Sequence, residues 1–178
     1  TITAAICAAG LMLTGCGGDS AKSGGDTVKI GAIAELTGAN ASYGPSMMRG
    51  FTLAVKEINA AGGVNGKKLQ LVEADTKSEP AEAANAMSKL ISQDKVPMVA
   101  GIFTSSSAIA ACNISESSKV PFLAIGATNP TVTLTKDGKT KPNTFRVCFI
   151  DPFQGTVGAN FVLNELKAKK AAIYVDNS

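Results

Sequence analysis

The sequence predicts an α/β fold in which a parallel sheet is covered by helices on both faces. Three observations carry this. Strand-length apolar runs alternate with segments of helical period, the runs are short, and small or hydroxyl residues gather where the runs end. Strands that alternate with helices imply right-handed βαβ units. Parallel strands buried on both sides read as short apolar runs.

Residues 28–34 read as the first strand, followed by a Gly-rich loop through Thr37, Gly38 and Asn40. Met47, Phe51, Ala54, Val55, Ile58 and Ala61 then recur at helical spacing. Gly62-Gly63 ends that helix and Asn65-Gly66 makes a turn. Residues 69–74 read as the second strand. Pro80, tolerated in a first helical turn, opens a helix with the apolar face Ala83, Met87, Leu90 and Ile91. A strand over 97–102, a helix over 106–118 and a strand over 121–126 follow. A looser loop over 128–143 leads to a strand over 144–149, a helix over 154–167 and a last strand over 171–175. After that strand a further loop and helix are expected. No repeat of solenoid period is visible.

Residues 2–13 carry no charge, and the first charged residue is Asp19. That run is too short for a bilayer, which takes about 20 apolar residues, and it fits the apolar part of a secretory signal without its basic start. Leu13-Thr14-Gly15-Cys16 resembles the lipobox of bacterial lipoproteins, which implies lipidation of Cys16. Residues 1–15 are therefore expected to be a partial lipoprotein signal peptide. Residues 16–26, rich in Gly and Ser, are expected to be a flexible tether. The expected location is the extracytoplasmic face of the cell membrane, in the periplasm or at the cell surface, held by lipid alone. Cys112 and Cys148 lie among apolar residues and are expected to be free core thiols, with a disulfide as the alternative in an exported protein.

The net charge of +3 over 178 residues makes no case for nucleic acid. The chain has no His, so a Ser-His-Asp triad or His-based zinc ligation cannot be built from these residues. No G-x-S-x-G elbow, no G-x-G-x-x-G fingerprint and no complete P-loop occurs. The expectation is a binding protein with no catalytic residue, metal or cofactor.

Three clusters sit at predicted strand ends, where open α/β sheets place ligands. Thr104-Ser105-Ser106-Ser107 runs into a helix, either as a plain cap or as a carboxylate site made of hydroxyls and free amides. Gly126-Ala127-Thr128-Asn129-Pro130 is either a turn before Pro or a loop offering backbone and hydroxyl groups to a ligand. Tyr43 either walls a pocket or staples the first helix. Together the three could converge on one zwitterion.

The runs Ile33-Ala34-Glu35-Leu36-Thr37-Gly38 and Tyr43-Gly44, the segment 54–69 from Ala54-Val55-Lys56-Glu57 to Lys67-Lys68-Leu69, and Phe145-Arg146-Val147-Cys148-Phe149-Ile150-Asp151 closely resemble the branched-chain amino acid ABC transporter binding proteins. The resemblance implies a type I periplasmic binding protein, with two Rossmann-like lobes that hinge shut on a ligand. It implies an incomplete ligand-binding lobe one over 27–148, and the hinge crossover and start of lobe two over 149–178. It assigns the ligand carboxylate to Ser105, the carboxylate and ammonium to the loop of Gly126 and Thr128 with Ala127 between them, and a place beside the ligand side chain to Tyr43. The best-known family member has a disulfide between the positions of Ser78 and Thr104, so the Ser105 loop must here be held otherwise. The resemblance also implies permease subunits as partners. Short-chain amides, urea or other small organic acids as ligands, or a sensory receptor role, are the alternatives.

Overall fold

The computed structural model describes residues 27–175; the expected signal peptide, Cys16 and the tether lie outside the described residues. Strands β1 (Val28–Ala34), β2 (Leu69–Asp75), β3 (Val99–Gly101), β4 (Phe122–Ala124) and β5 (Thr144–Arg146) form one fully parallel sheet in the order β2-β1-β3-β4-β5. Helix α1 (Gly44–Ala60) crosses from β1 to β2, α2 (Pro80–Ser92) from β2 to β3, and α3 (Ser105–Ser118) from β3 to β4. With right-handed crossovers this order puts α1 on one face and α2 and α3 on the other. Packing agrees: α2 lies against α3, and α1 touches β1 and β2.

The α2/α3 face holds the main core. Ile33, Met87, Leu90, Val99, Ala111 and Phe122 are buried there in one cluster. The expected α2 face is buried at Ala83, Met87 and Leu90, with Ile91 packed beside it. The α1 face holds a smaller buried cluster of Ala32, Ala34 and Met48, flanked by Leu36, Met47, Phe51 and Leu71. The expected α1 stripe is corrected here. Met48 faces the sheet, while Ala54 and Ile58 are exposed, because no second helix lies beside α1 among the described residues.

Five further expectations change. The loop over 128–143 contains a 3-10 turn at Pro130–Val132 and an isolated bridge between Leu134 and Thr140. The chain leaves the sheet after Arg146, and the last helix, α4, starts earlier, at Asp151–Asn160, and ends in a π turn over Phe161–Glu165. Residues 171–175 form no strand: a strand is held by a neighbour's hydrogen bonds, none pairs with them among the described residues, and Ile173 and Tyr174 are 89% and 98% exposed. Cys112 and Cys148 are both free, but only Cys112 is buried; Cys148 is half-buried. Among the described residues no helix is long and apolar enough to cross a membrane.

Candidate functional site

All five strands point the same way, so the loops after β1, β3 and β4 meet at one edge of the sheet. The strand order reverses between β1 and β3, and this switch point is where doubly wound sheets bind ligands. Each loop is held by its own polar anchor.

Glu35, directly after β1, is fully buried. Its carboxyl group accepts from the Phe103 amide (3.1 Å to each oxygen), the Thr104 amide (2.9 Å) and the Thr104 hydroxyl (2.8 Å). Thr104 is the N-cap residue of α3, yet its hydroxyl is spent on Glu35 and α3 has no side-chain cap. The amides opening α3 are therefore left without a side-chain acceptor. The turn into this loop runs through Ile102, a buried β-branched residue at φ 57°. Left-handed backbone at such a residue costs about 1–3 kcal/mol and is concentrated at functional sites. Gly101 before it admits no side chain, since a Cβ there would lie 1.8 Å from the Ile33 carbonyl oxygen.

The loop after β2 braces the first loop. Asp75 accepts from the amides of Leu36 (2.9 Å) and Thr37 (3.2 Å), the Thr37 hydroxyl (2.6 Å) and the Lys77 amide (2.8 Å). Burial alone would raise its pKa, but the Thr37 hydroxyl and the Lys77, Thr37 and Leu36 amides together hold it below the ordinary carboxylate value. Ser78 donates to the Thr37 carbonyl and accepts from the Asn40 amide. The loop that carries Ser105 is held through Thr104 by Glu35, and Ser78 is tied to the first loop.

The structure brings Ser105 and the 126–130 loop together: the Asn129 amide donates to Ser105 Oγ at 3.2 Å. Gly126 is required by a ring, since a Cβ there would come within 2.4 Å of Phe103. Ala127 is buried with its side chain in the main core, and its carbonyl accepts from Arg146 at 3.0 Å. Thr128 is half-buried, and its carbonyl accepts from the Asp151 amide at 3.1 Å. The other hydroxyls of the serine run differ: Ser106 is exposed, and Ser107 Oγ is buried without a partner.

Tyr43 stacks on Phe103, with centroids 4.1 Å apart and planes 6° from parallel. The two rings wall an apolar recess of about 460 Å³ with Met47, Phe51 and Ile125. Ser105, Gly126 and Thr128 do not line the recess; the Phe103 ring separates it from Gly126. Polar loops and apolar recess are thus adjacent parts of one strand-end region. Glu35, Phe103 and Arg146 were not singled out by the chemistry of the sequence. An acid ending an apolar strand, and an aromatic beside a serine run, were the available signals. No group of three or more acidic or Cys residues able to hold a metal occurs among the described residues.

A periplasmic binding protein family model matches residues 27–178. An amino acid binding protein of Pseudomonas aeruginosa is 42% identical over 149 residues, covering 84% of this chain and 39% of the relative. Leu/Ile/Val-binding protein homolog 1 of Brucella abortus is 34% identical over 151 residues, covering 85% and 39%. The chain thus spans 39% of the length of both relatives. Among solved structures, the branched-chain amino acid transporter substrate-binding protein LivJ of Streptococcus pneumoniae, in complex with isoleucine, superposes with a TM-score of 0.74 at 40% identity, over 80% of this chain and 40% of that one. A solute-binding protein of R. palustris in complex with 4-hydroxybenzoate gives a TM-score of 0.71 at 28% identity, over 86% and 40%. The fold is therefore that of the type I periplasmic binding proteins, and the chain belongs to the periplasmic binding protein family.

Proposed function

We propose that this chain is part of an extracytoplasmic lipoprotein that captures an amino acid, with a branched-chain side chain, and delivers it to an ABC importer. The observation that carries the reading is the adjacency at the switch point. The start of α3 and the 126–128 loop offer hydroxyls and backbone groups suited to a zwitterion, and the recess beside them suits an apolar side chain. Ser105 takes the carboxylate, Gly126 and Thr128 share the carboxylate and ammonium, Ala127 shapes the loop, and Tyr43 flanks the side chain. Binding works without chemistry on the ligand. Residues 27–148 belong to lobe one, and 149–178 lead through the crossover into lobe two. Contacts from both lobes select the closed form, which docks on the permease. Cys16 carries the lipid that keeps the protein at the membrane. The relatives described as amino acid and Leu/Ile/Val binders, and the isoleucine complex, support the substrate class.

The test is the melting temperature of the full-length mature protein, with Cys16→Ser for solubility, against Leu, Ile, Val, amides, urea and aromatic acids. A ligand at about 100 times its Kd adds about 2.7 kcal/mol of stability. A shift with Leu, Ile or Val is expected. A shift with amides, urea or aromatic acids alone replaces the substrate, and no shift with any of them sinks the reading.

A further inference from the structure

Three successive carbonyls of the proposed ligand loop are taken by one short segment of chain. Arg146 Nη1 donates to Ala127 O at 3.0 Å and to Asn129 O at 2.8 Å. Between them, Thr128 O accepts from the Asp151 amide at 3.1 Å. Arg146 Nη2 reaches on to Thr133 Oγ1 at 2.6 Å, and the Val147 amide donates to Ala124 O at 3.2 Å. The segment 146–151 therefore runs back along the loop and fixes its carbonyl side. The register explains why Arg146 can do this. It pairs with Ala124, whose side chain joins the α2/α3 core, so the Arg146 side chain rises on that same face, toward the 3-10 turn. Its neighbour Phe145 points the other way and is 52% exposed.

We infer that Arg146 is a positioning residue that joins the 126–129 loop to the 147–151 segment as one unit. This rests on the proposed function, in which 126–128 contacts ligand and 149–151 begins the crossover between lobes. The loop cannot reorient on ligand without moving the crossover, and a rotating crossover must carry the loop or break these bonds. Ligand contact and hinge position are thereby read through one set of hydrogen bonds. A planar guanidinium spans two carbonyls and a hydroxyl together, and an ammonium at the end of a lysine does not reproduce that fork.

The experiment compares full-length wild type, Arg146→Lys and Glu116→Gln for isoleucine affinity and for amide hydrogen exchange. Glu116 accepts from the Asn143 amide and the Thr144 hydroxyl, so it holds the same strand without touching the ligand loop. Arg146→Lys should speed exchange over 126–129 while α2 stays protected, and should weaken isoleucine binding roughly tenfold through lost preorganisation. In wild type, isoleucine should protect 126–129 and 147–151 together, and Arg146→Lys should lose the protection over 147–151. Glu116→Gln should lower the melting temperature and leave affinity within about twofold, a strand-stability effect separate from the loop. Unchanged exchange and affinity in Arg146→Lys overturns the inference, as does an equal loss of affinity in Glu116→Gln. If wild type binds isoleucine but ligand protects 126–129 alone, the coupling to the crossover is wrong. If wild type binds no amino acid, the proposed function fails with the ligand role of Arg146, and the exchange data alone decide whether the clamp holds the loop.

Discussion

On the α2/α3 face of the sheet, Ile33, Met87, Leu90 and Phe122 interlock in one large buried cluster, whereas the cluster on the α1 face is the smaller set Ala32, Ala34 and Met48. One row of paired residues on the α1 face shows the contrast directly. Ala32, Ala100, Leu123 and Phe145 lie side by side across β1, β3, β4 and β5. Exposure runs from 1% at Ala32 and 6% at Ala100, through half-buried Leu123, to 52% at Phe145. Cover is lost with distance from α1. One face holds the fold together, and the other stays open beside the recess of Tyr43 and Phe103.

The comparison sharpens most at Phe122. Phe122→Ala should cost about 3–5 kcal/mol in urea unfolding, the range for large-to-small changes in a packed core. A loss below about 1 kcal/mol would mean the two faces differ less than their burial indicates. Glu35 comes next, buried at the strand-end edge between the faces. Glu35→Gln keeps one acceptor but replaces the other with a donor beside the amides of Phe103 and Thr104, and should cost about 1–3 kcal/mol. It should also raise the ligand Kd, because the Ser105 loop loses its anchor.

Asp75 gives a smaller effect with a pH signature. Its folded pKa lies below the ordinary value, so its contribution is present above about pH 4, the unfolded value. That contribution is lost as pH falls through the lower folded value. Asp75→Asn should cost about 1 kcal/mol at pH 7 and flatten the loss of stability below pH ~4; an unchanged acid profile would remove the brace from the account. The smallest effect belongs to the open face, where Phe145→Thr should stay within about 0.5 kcal/mol. A larger loss would show that Phe145 is covered in the full-length protein.

The same contrast explains what could be read in the sequence. The stripe on α2 was legible because the helix is packed on one side by both α3 and the sheet, so its period and its burial coincide. The stripe on α1 was misplaced at Ala54 and Ile58, since apolar period alone does not say which of those residues finds a neighbour. Residues 171–175 have strand composition, but pairing is a property of the neighbour, not of the segment. At the strand ends, the clusters 104–107 and 126–130 stood out as hydroxyl and small residues, and only the family resemblance singled out Ser105, Gly126 and Thr128 within them. Glu35 and Arg146 did not stand out, because their roles lie in long-range hydrogen bonds to backbone groups, which leave no local period or spacing.

The central claim is that the Ser105 and 126–128 loops jointly hold a zwitterion, and calorimetric titration of the full-length protein with isoleucine tests it most directly. Ser105→Ala and Thr128→Ala should each weaken binding by roughly tenfold or more, as loss of a hydrogen bond to a charged group does. Their melting temperatures without ligand should change little. Isoleucine binding that survives both substitutions unchanged would contradict the claim and place the ligand elsewhere.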